Sequence, residues 1–289
     1  MIERILICTD LDRTLIPNGK QPESPSARQH LSMLAAHPQI TLAYVSGRHR
    51  ELVEKAIKNY QLPIPDYVIG DVGTTVYQLS DNDNWHELDQ WDEVYARDWN
   101  GHSHAELKTA LSDIPELRIQ EWTKQNRYKL SYYASLFANQ AELNDAIHQR
   151  LSVLGANCNL IWSTDEPKGV GLLDILPQRA SKLHAIENVM QHANFDYDNT
   201  VFCGDSGNDM QVLVSPIHAV LVANAEPDVR EQAIKLASQS GNEQNLYLAK
   251  GNFYGMNGNY AAGMLEGIAK YHPDSVEWMS LTTSGACIE

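Results

Sequence analysis

The sequence of 289 residues is poor in basic side chains and in long apolar runs, and each shortage argues against a class of protein. Lysine and arginine number 22 against 37 aspartates and glutamates, which gives a net charge of −15. A surface this acidic argues against broad binding to nucleic acid or to anionic membranes. No apolar stretch approaches the roughly 20 residues that a membrane-spanning helix needs. We therefore expect a chain that binds neither nucleic acid nor a membrane.

Cysteine is also scarce, and the four that occur are far apart: Cys8, Cys158, Cys203 and Cys287. None belongs to a C-x-x-C pair, so the sequence offers no disulfide framework and no zinc site. The first residues lack a basic segment followed by an apolar one, and no signal peptide is evident. These absences predict a reducing, cytoplasmic compartment.

Strand-like apolar runs alternate with helical patterns along most of the chain. The expected strands include residues 1–8, 41–45, 66–69, 200–203 and 219–222. The expected helices include residues 26–36, 49–60, 181–192, 210–214, 227–237 and 260–271. Such alternation predicts a parallel sheet with right-handed crossovers.

The pattern changes after about Gln78 and resumes after residue 168. We therefore predict an α/β fold class, a Rossmann-like parallel-sheet core with an inserted smaller α+β cap domain. The predicted domains are a catalytic core at 1–78 and 169–274, a substrate-specificity cap at 79–168 and a C-terminal tail at 275–289. Open α/β sheets bind ligands beyond the carboxyl ends of their strands, so the cap is expected to act as a lid there. The tail has little pattern and is expected to be mobile.

Two short turns that each carry a pair of aspartates are the most informative feature of the sequence. Asp10 and Asp12 follow one apolar, strand-like run, and Asp205 and Asp209 follow another. In a parallel sheet both turns could lie at the carboxyl ends of neighbouring strands, where four carboxylates would repel one another unless a cation joined them. Hard oxygen ligands favour Mg²⁺. The predicted metal residues are all four aspartates, with Asp209 acting through water or as an orienting group.

A magnesium site of this kind indicates a phosphoryl-transfer enzyme, and that chemistry gives Asp10 and Asp12 distinct roles. A carboxylate such as that of Asp10 can attack phosphorus and form an aspartyl-phosphate, which splits one difficult hydrolysis into two steps. Asp12 is predicted as the general acid for the leaving oxygen and then as the general base for water. An aspartate-rich turn by itself usually only solvates a loop, so these roles depend on the other motifs.

Two further residues suit a phosphate site. Ser46 follows an apolar strand and precedes Gly47, and a hydroxyl beside backbone N–H groups makes a phosphate cradle. The alternative for Ser46 is a plain helix N-cap. Lys182 begins a predicted helix, where the helix dipole disfavours an ammonium, so it is predicted to bridge the nucleophile and the phosphoryl oxygens. The alternative for Lys182 is a solvated surface lysine. With Asp10 and Asp12, these two complete the predicted catalytic set.

Four motifs in this order resemble those of the haloacid dehalogenase superfamily of phosphatases: residues 10–14 (DLDRT), 46–48 (SGR), Lys182 and 204–209 (GDSGND). The resemblance implies that the first aspartate is the nucleophile and the second the acid and base. It implies that the serine and the lysine hold phosphate and that the last acidic pair helps to bind Mg²⁺. The insert resembles the larger α/β cap of the sugar-phosphatase branch.

Further stretches are similar to the sucrose-phosphate phosphatase family: residues 43–48 (AYVSGR), 65–67 (PDY), 72–77 (VGTTVY), 128–132 (YKLSY), 174–182 (DILPQRASK), 222–225 (VANA) and 263–269 (GMLEGIA). The sequence departs from that family at Arg13, where Asn is frequent, and at Leu183, where Gly is common. Thr74 and Thr75 stand where Ser and Glu are usual. These departures concern the sugar more than the catalytic assignment.

The resemblance also directs attention to polar residues near the phosphate turns. Lys129, in a strand-like segment, is predicted to donate to sugar hydroxyls or phosphate, the alternative being an exposed strand lysine. Arg48 and Asn208 flank the phosphate turns and are predicted to reach the sugar. Asn224 is predicted to orient Asp205 or to contact substrate, the alternative being a turn residue. The full predicted substrate-binding set is Ser46, Gly47, Arg48, Lys129, Asn208 and Asn224.

Five tryptophans fall in the predicted cap: Trp85, Trp91, Trp99, Trp122 and Trp162. Aromatic faces stack on sugars, but a tryptophan is more often part of a core. We expect these side chains mainly to form the cap core.

The leading hypothesis is hydrolysis of a sugar phosphate, sucrose 6-phosphate in the first place, with Mg²⁺ as cofactor. The alternative substrates are mannosylfructose phosphate, mannosyl- or glucosylglycerate phosphate and hexose phosphates. A hypothesis of another class is a non-catalytic sugar-phosphate-binding partner of a glycosyltransferase, although pure binding has no need of Asp12. Association with a glycosyltransferase of the same pathway is a further expectation.

Overall fold

The computed structural model of the protein describes residues 4–80, 84–165 and 168–280. Its strands are β1 (Ile5–Thr9), β2 (Ile40–Val45), β3 (Tyr67–Gly70), β4 (Thr75–Ser80), β5 (Asn84–Glu87), β6 (Arg118–Ile119), β7 (Leu130–Ala134), β8 (Cys158–Asp165), β9 (Val170–Pro177), β10 (Thr200–Gly204), β11 (His218–Leu221) and β12 (Leu246–Leu248). Its α-helices are α1 (Ala27–Ala35), α2 (Arg50–Tyr60), α3 (Asp92–Asp98), α4 (His104–Ala110), α5 (Gln140–Val153), α6 (Lys182–Ala193), α7 (Met210–Leu213), α8 (Pro227–Gln239) and α9 (Ala261–Tyr271).

Eight strands form a large sheet in the order β12-β11-β10-β1-β2-β3-β4-β5. The pairs from β12 to β3 are parallel, whereas β4 and β5 are added antiparallel. Every residue of β1 and β10 is buried, as expected of central parallel strands that are covered on both faces. The chain runs outward in opposite directions from these two neighbours, so the loops that follow them leave a crevice at the carboxyl edge of the sheet.

Helices cover both faces of the large sheet, and each face has its own apolar core. One core joins α1, α2 and α9 to the sheet through side chains such as Leu31 and Leu265. The other joins α6, α7 and α8 through side chains such as Ile186 and Leu213. A parallel sheet between two helical layers is the Rossmann-like core that the alternating sequence pattern predicts, and the predicted fold class is confirmed.

Four strands form a second, antiparallel sheet in the order β6-β7-β9-β8. Together with α3, α4 and α5 it encloses a core centred on the fully buried Trp99. We call the segment from α3 to β9, residues 92–177, the cap. The assignment of catalysis to the core and of substrate specificity to the cap stays a prediction.

The predicted domain boundaries do not coincide with the change of sheet. Strand β5 lies beyond residue 78 yet belongs to the large sheet, and β9 lies beyond residue 168 yet belongs to the second sheet. The change from the large sheet to the second sheet falls between β5 and β6, and the return falls after β9. The domain division itself stays a prediction. An apolar run in the sequence indicates a strand but not the strand with which it pairs, so the sequence alone does not show to which sheet a strand belongs.

The sequence pattern does not predict β5, β6, β12 or α3. Strand β5 reads NWHE and α3 reads DEVYARD, and both are too short or too polar to show a periodic apolar pattern. Tertiary contacts stabilise such elements, as in the case of Tyr95 of α3, which is buried in the cap core.

The first part of the predicted tail is packed against the core and is not a mobile segment. Residues Pro273–Met279 form a 3-10 turn, in which Trp278 stacks on His37 with ring centroids 4.0 Å apart and Met279 is fully buried. The expectation of mobility is therefore wrong for residues 275–280, whose apolar side chains are too closely spaced to show a helical period. Residues 281–289, including Cys287, lie outside the described part of the chain.

The expectations that rest on the scarcity of cysteine and of long apolar runs can be compared with the described residues. Cys8, Cys158 and Cys203 are buried free thiols. No described helix combines the length and the apolar character that crossing a membrane requires.

Helix α9 lies against the large sheet and carries a buried carboxylate that fixes the sheet edge. Glu266 is 7 % exposed and accepts a hydrogen bond of 2.8 Å from the hydroxyl of Tyr247 on β12. Its carboxylate also accepts bonds of 2.8 and 2.9 Å from the backbone N–H groups of Lys250 and Gly251. One side chain thus joins the edge strand and the turn after it to the helix.

Replacement of Glu266 by alanine is expected to lower the free energy of unfolding by about 2–4 kcal/mol, because two backbone N–H groups and a tyrosine hydroxyl lose their acceptor. Urea unfolding followed by circular dichroism measures the change. The exposed Glu231 on α8 provides a matched control, and Glu231→Ala is expected to stay within about 0.5 kcal/mol of wild type. Similar losses in both variants would contradict the anchoring role.

Candidate active site

The turn after β1 places Asp10 at the carboxyl edge of the large sheet. The residue is 5 % exposed, and its Oδ1 accepts a hydrogen bond of 2.8 Å from the backbone N–H of Leu11. Burial raises the pKa of Asp10 well above its usual range, against the opposing charge of Lys182. The carboxylates of Asp209 and Asp205 raise that pKa further. The site therefore holds a carboxylate in surroundings that disfavour its negative charge.

The turn after β10 brings two more carboxylates to the same edge. Asp205 is 3 % exposed and accepts a hydrogen bond of 3.1 Å from the hydroxyl of Thr14. Asp209 is fully buried, and its Oδ2 accepts from the backbone N–H groups of Asp205 and Ser206 at 3.1 and 3.2 Å. Gly204 permits this turn, since a Cβ there would lie 2.7 Å from Oδ2 of Asp209. Burial, together with the charge of Asp209, raises the pKa of Asp205 to about 7.

Asp10, Asp205 and Asp209 together form what we call the carboxylate group. Each offers one oxygen, and these three oxygens all lie within 4.8 Å of one another. Buried anions so close together repel, as the raised pKa values of Asp10 and Asp205 reflect. Carboxylate oxygens are the ligands that hard divalent cations prefer, so the group fits such a metal ion. Asp209 already uses both of its oxygens within the protein, which suits an orienting role.

Lys182 is the first residue of α6, and its ammonium lies among these carboxylates. Its Nζ is 3.3 Å from Oδ1 of Asp10 and 2.7 Å from Oδ1 of Asp209. It also donates a hydrogen bond of 3.1 Å to Oδ1 of Asn208. Burial lowers the pKa of Lys182, but the two carboxylates outweigh this effect and hold the pKa above its usual value. With 3 % exposure, the alternative of a solvated surface lysine is overturned.

Ser46 lies at the end of β2 and does not cap a helix. Helix α2 begins only at Arg50, and its N-cap residue is His49. The Ser46 hydroxyl accepts a hydrogen bond of 3.2 Å from the backbone N–H of Arg48. Ser46 and Gly47 both line the cleft above the carboxylate group. The alternative of a plain N-cap is therefore wrong, and a hydroxyl on a turn beside the carboxylates suits a phosphate cradle.

Asp12 shares the turn of Asp10, but its side chain is directed to Arg48. The Nε and Nη2 atoms of Arg48 donate to the two carboxylate oxygens at 2.7 and 2.6 Å. Asn18 adds a hydrogen bond of 2.7 Å. Burial raises the pKa of Asp12, but the hydrogen bonds and charge of Arg48 and the bond from Asn18 more than offset it and hold the pKa below its usual value. The metal-ligand role of Asp12 stays a prediction, since the three carboxylate oxygens that lie close together belong to Asp10, Asp205 and Asp209.

Asn224 lies behind the cleft and braces the first aspartate turn. Its Nδ2 donates a 2.6 Å hydrogen bond to the carbonyl of Arg13, and its Oδ1 accepts a 2.8 Å bond from the N–H of Tyr260. Arg13 has a φ of 61°, and its Nε lies 3.5 Å from Oδ2 of Asp205. Asn224 is not among the described residues that line the cleft. The structure thus connects Asn224 to Asp205 through the Arg13 turn, and a substrate contact stays a prediction.

A cleft of about 550 Å³ opens above the carboxylate group, between the large sheet and the cap. This volume falls in the ordinary range for small-molecule sites. From the large-sheet side Arg48 and Asn208 line it, and their contact with a sugar stays a prediction. From the cap side it is lined by Gln120, Lys124, Lys129, Trp162, Thr164 and Asp174, among others. The cap therefore supplies polar groups and one aromatic ring to the same space as the carboxylates.

Lys129 forms part of the cleft wall and is not an exposed strand lysine. It is 4 % exposed, and its Nζ lies 3.1 Å from Oδ1 of Asp71. Asp71 is missing from the residues predicted from the sequence, although it directly follows β3 at the carboxyl edge of the sheet. That position is the same signal that identifies Asp10 and Asp205. A single aspartate gives a weaker signal than a pair, which explains why the residue was missed.

Three of the five tryptophans lie in clearly different environments. Trp99 is fully buried in the cap core, which confirms the expectation for this residue. Trp122 is 80 % exposed, so the expectation of a core position is wrong there. Trp162 is partly buried, lines the cleft and donates its indole N–H to Oδ1 of Asn144 at 2.9 Å. Its ring is the one aromatic surface among the cap residues named above that faces the cleft.

Comparison with known protein families gives a match over nearly the whole chain. The profile of the family described as sucrose-6F-phosphate phosphohydrolase matches residues 3–272. A HAD-like hydrolase of Nitrosococcus oceani is 51 % identical over 279 residues, which cover 96 % of this chain and 75 % of that relative. Sucrose-phosphatase 1 of Nicotiana tabacum is 28 % identical over 237 residues, which cover 78 % of this chain and 52 % of that protein. The chain thus spans about half the length of the tobacco relative.

Among solved structures, the sucrose-phosphatase of Synechocystis in complex with sucrose and phosphate resembles this chain with a TM-score of 0.72. The sequence identity is 24 %, and the likeness covers 93 % of this chain and 98 % of that one. At this identity the likeness supports the fold, a Rossmann-like core with a cap.

Divalent metal ions are expected to raise the melting temperature, because the carboxylate group can bind them only when it is assembled in the folded state. At a hundredfold excess of Mg²⁺ over its Kd the gain is about 2.7 kcal/mol, which corresponds to several degrees. Asp205→Asn is expected to lose most of this gain, whereas Asp145→Asn, at an exposed position on α5, keeps it. Differential scanning calorimetry with and without Mg²⁺ measures the shift. Equal shifts in the two variants would argue against metal binding at this group.

Proposed function

The chain belongs to the sucrose-6F-phosphate phosphohydrolase family, and we propose that it hydrolyses sucrose 6-phosphate to sucrose and phosphate. It is a phosphoric monoester hydrolase of the haloacid dehalogenase superfamily that acts on a sugar phosphate. One observation supports the proposed chemistry most directly. Asp10 and Lys182 contact each other at the carboxyl edge of the sheet, at the base of a cleft that the cap closes from the other side.

In the first step Asp10 acts as nucleophile. A carboxylate oxygen of Asp10 forms a bond to phosphorus while the bond from phosphorus to the sugar oxygen breaks, which gives an aspartyl-phosphate. The N–H of Leu11 and the Nζ of Lys182 both contact Oδ1 of Asp10. These contacts fix the orientation of the carboxylate and leave Oδ2 for the attack.

The approach of two anions requires positive charge and hydrogen-bond donors at the reaction centre. Lys182 provides a buried ammonium beside the nucleophile. We assign the hydroxyl of Ser46 and the backbone N–H of Gly47 to the phosphoryl oxygens, in line with their place in the cleft. Mg²⁺ bound by the carboxylate group would neutralise further charge on the nucleophile and on the phosphoryl oxygens.

Asp12 serves as acid and base. It gives a proton to the departing sugar oxygen and then takes one from the water that attacks the aspartyl-phosphate, so that phosphate is released and Asp10 is regenerated. The Arg48 pair favours the ionised form of Asp12, which opposes the acid step. The proposal therefore requires the pair to separate when substrate enters, and the guanidinium of Arg48 is then available to the anionic substrate.

The cap side of the cleft suits a sugar. Gln120, Lys129 and Asp174 offer hydrogen-bonding groups, and Trp162 offers an aromatic face. The sucrose and phosphate in the Synechocystis structure support a disaccharide phosphate as substrate. Mannosylfructose phosphate, mannosyl- or glucosylglycerate phosphate and hexose phosphates are the alternatives within the same chemistry. Association with a glycosyltransferase that makes the sugar phosphate, and a cytoplasmic location, stay predictions.

Release of inorganic phosphate in the presence of Mg²⁺ separates these substrates. We expect sucrose 6-phosphate to give the highest kcat/KM in a panel with mannosylfructose phosphate, glycosylglycerate phosphates and hexose phosphates. A flat profile, or preference for another member of the panel, would keep the phosphatase mechanism and discard the sucrose assignment.

Two substitutions test the roles of the first aspartate turn. Asp10→Asn is expected to abolish turnover, because the amide is a poor nucleophile. Asp12→Asn is expected to lower kcat by roughly 10²–10⁴, the usual contribution of a general acid and base, while metal-dependent substrate binding persists. Steady-state kinetics and isothermal titration calorimetry measure the two effects, with Asp145→Asn as the control. Wild-type turnover in Asp12→Asn would show that the acid and base role is wrong.

A further inference from the structure

A short turn after β3 has an unusual backbone. Asp71, Val72 and Gly73 have consecutive φ values of 51°, 63° and 103°. A left-handed conformation is a strained state for a β-branched residue such as Val72, and it persists only where surrounding contacts enforce it. We call residues 71–73 the junction turn, since it contacts both the phosphate-site residues and the cap.

On the large-sheet side, the junction turn is hydrogen-bonded to residues 46–48, the turn that is predicted to hold phosphate. The N–H of Asp71 donates to the carbonyl of Arg48 at 3.0 Å, and the N–H of Val72 donates to the carbonyl of Ser46 at 3.1 Å. At Gly73, a Cβ would overlap the backbone carbonyl of Ser181, the residue before Lys182. The turn therefore fits closely between the two elements that carry Ser46 and Lys182.

On the other side, two contacts join the junction turn to the cap, and a third joins the adjacent Thr74 to it. The Nζ of Lys129 lies 3.1 Å from Oδ1 of Asp71, and Nδ2 of Asn126 donates to Oγ1 of Thr74 at 2.8 Å. The hydroxyl of Tyr95 donates to the carbonyl of Gly73 at 3.0 Å. The cap segment that presents Lys129 is thus bound at two points, Asp71 and Thr74, to the large-sheet side.

The ion pair between Lys129 and Asp71 is almost completely buried, with side-chain exposures of 5 % and 7 %. A buried ammonium needs a partner, because removal of one member of such a pair leaves an uncompensated charge. The Oδ2 of Asp71 is held in turn by the hydroxyl of Thr75 at 3.3 Å. Asp71 therefore fixes the place of the Lys129 ammonium in the cleft wall.

We propose that Asp71 is a positioning residue for substrate selection, which holds Lys129 where its ammonium donates to the sugar portion of the substrate. This inference rests on the proposed function and adds to it a residue that determines which sugar phosphates are accepted. Asp71 has no part in the attack on phosphorus, since it contacts Lys129 and the backbone of the phosphate turn and does not contact the carboxylate group. Its loss should therefore affect sugar recognition and leave phosphoryl transfer nearly unchanged.

The test compares Asp71→Asn, Lys129→Met and the double variant on two kinds of substrate. One substrate is the member of the sugar-phosphate panel with the highest wild-type kcat/KM, and the other is p-nitrophenyl phosphate, which has no sugar. Both single substitutions are expected to raise KM for the sugar phosphate by about tenfold or more, the effect of losing one good polar contact. For Asp71→Asn, the kcat/KM for p-nitrophenyl phosphate is expected to stay within about threefold of wild type. Asp92→Asn, which breaks the exposed pair of Asp92 with Arg127 on the cap, is the matched control and should change neither substrate.

The double variant shows whether Asp71 acts through Lys129. If it does, the sugar-phosphate KM of the double variant equals that of Lys129→Met, because the second substitution has nothing left to remove. If Asp71→Asn fails to fold, this comparison still decides, since the double variant carries no unpaired buried charge and is expected to fold. A further rise in KM in the double variant, or a parallel loss with p-nitrophenyl phosphate, would overturn the inference.

The outcome for wild type distinguishes this inference from the proposed function. A wild-type protein that hydrolyses p-nitrophenyl phosphate but no sugar phosphate overturns the proposed function, and the inference with it. A wild-type protein that hydrolyses a sugar phosphate with the same KM as Asp71→Asn overturns the inference alone.

Discussion

Repulsion among three buried carboxylates is the constraint on which the surrounding structure depends. Asp10, Asp205 and Asp209 lie at the ends of adjacent strands or just beyond them, and their oxygens approach within 4.8 Å. At such distances and in a partly buried site, Coulomb repulsion amounts to several kcal/mol per pair. Lys182 offsets part of it, and backbone N–H groups hold Asp209. The remaining negative charge suits the group to a divalent cation.

The positions of these charged residues follow from the sequence because simple rules govern them. Parallel strands end at one edge, so Asp10 and Asp205 meet once β1 and β10 are recognised as strands of the same sheet. Lys182 was identified from a conflict with the helix dipole, and the structure places its ammonium among anions. In each case the place of the residue at a strand end or a helix start indicates the edge of the sheet at which it lies.

Residues that depend on packing between distant segments were not predictable in this way. The bidentate pair of Asp12 with Arg48 and the pair of Lys129 with Asp71 join segments that are 36 and 58 residues apart. Nothing in the local pattern shows which cation an aspartate will meet. The sheet to which β9 belongs is likewise not shown by the local pattern, since strand pairing is decided by contacts outside the strand. The sequence therefore predicted the chemical groups better than the junction between core and cap.

The junction turn shows how a strained backbone can persist between the two parts of the molecule. Left-handed conformations at Asp71 and Val72 cost about 1–3 kcal/mol each. Two backbone hydrogen bonds to the turn of Ser46 and Arg48 and two contacts to the cap act on the junction turn, and a third cap contact falls on the adjacent Thr74. Each contributes about 1 kcal/mol. The total strain and the total contribution of the contacts are of similar size. Neither the contacts to the turn of Ser46 nor the contacts to the cap are therefore sufficient to offset the strain alone. Since both sets are needed, the geometry of the turn that carries Ser46 and the docking of the cap stabilise each other through the junction turn and Thr74.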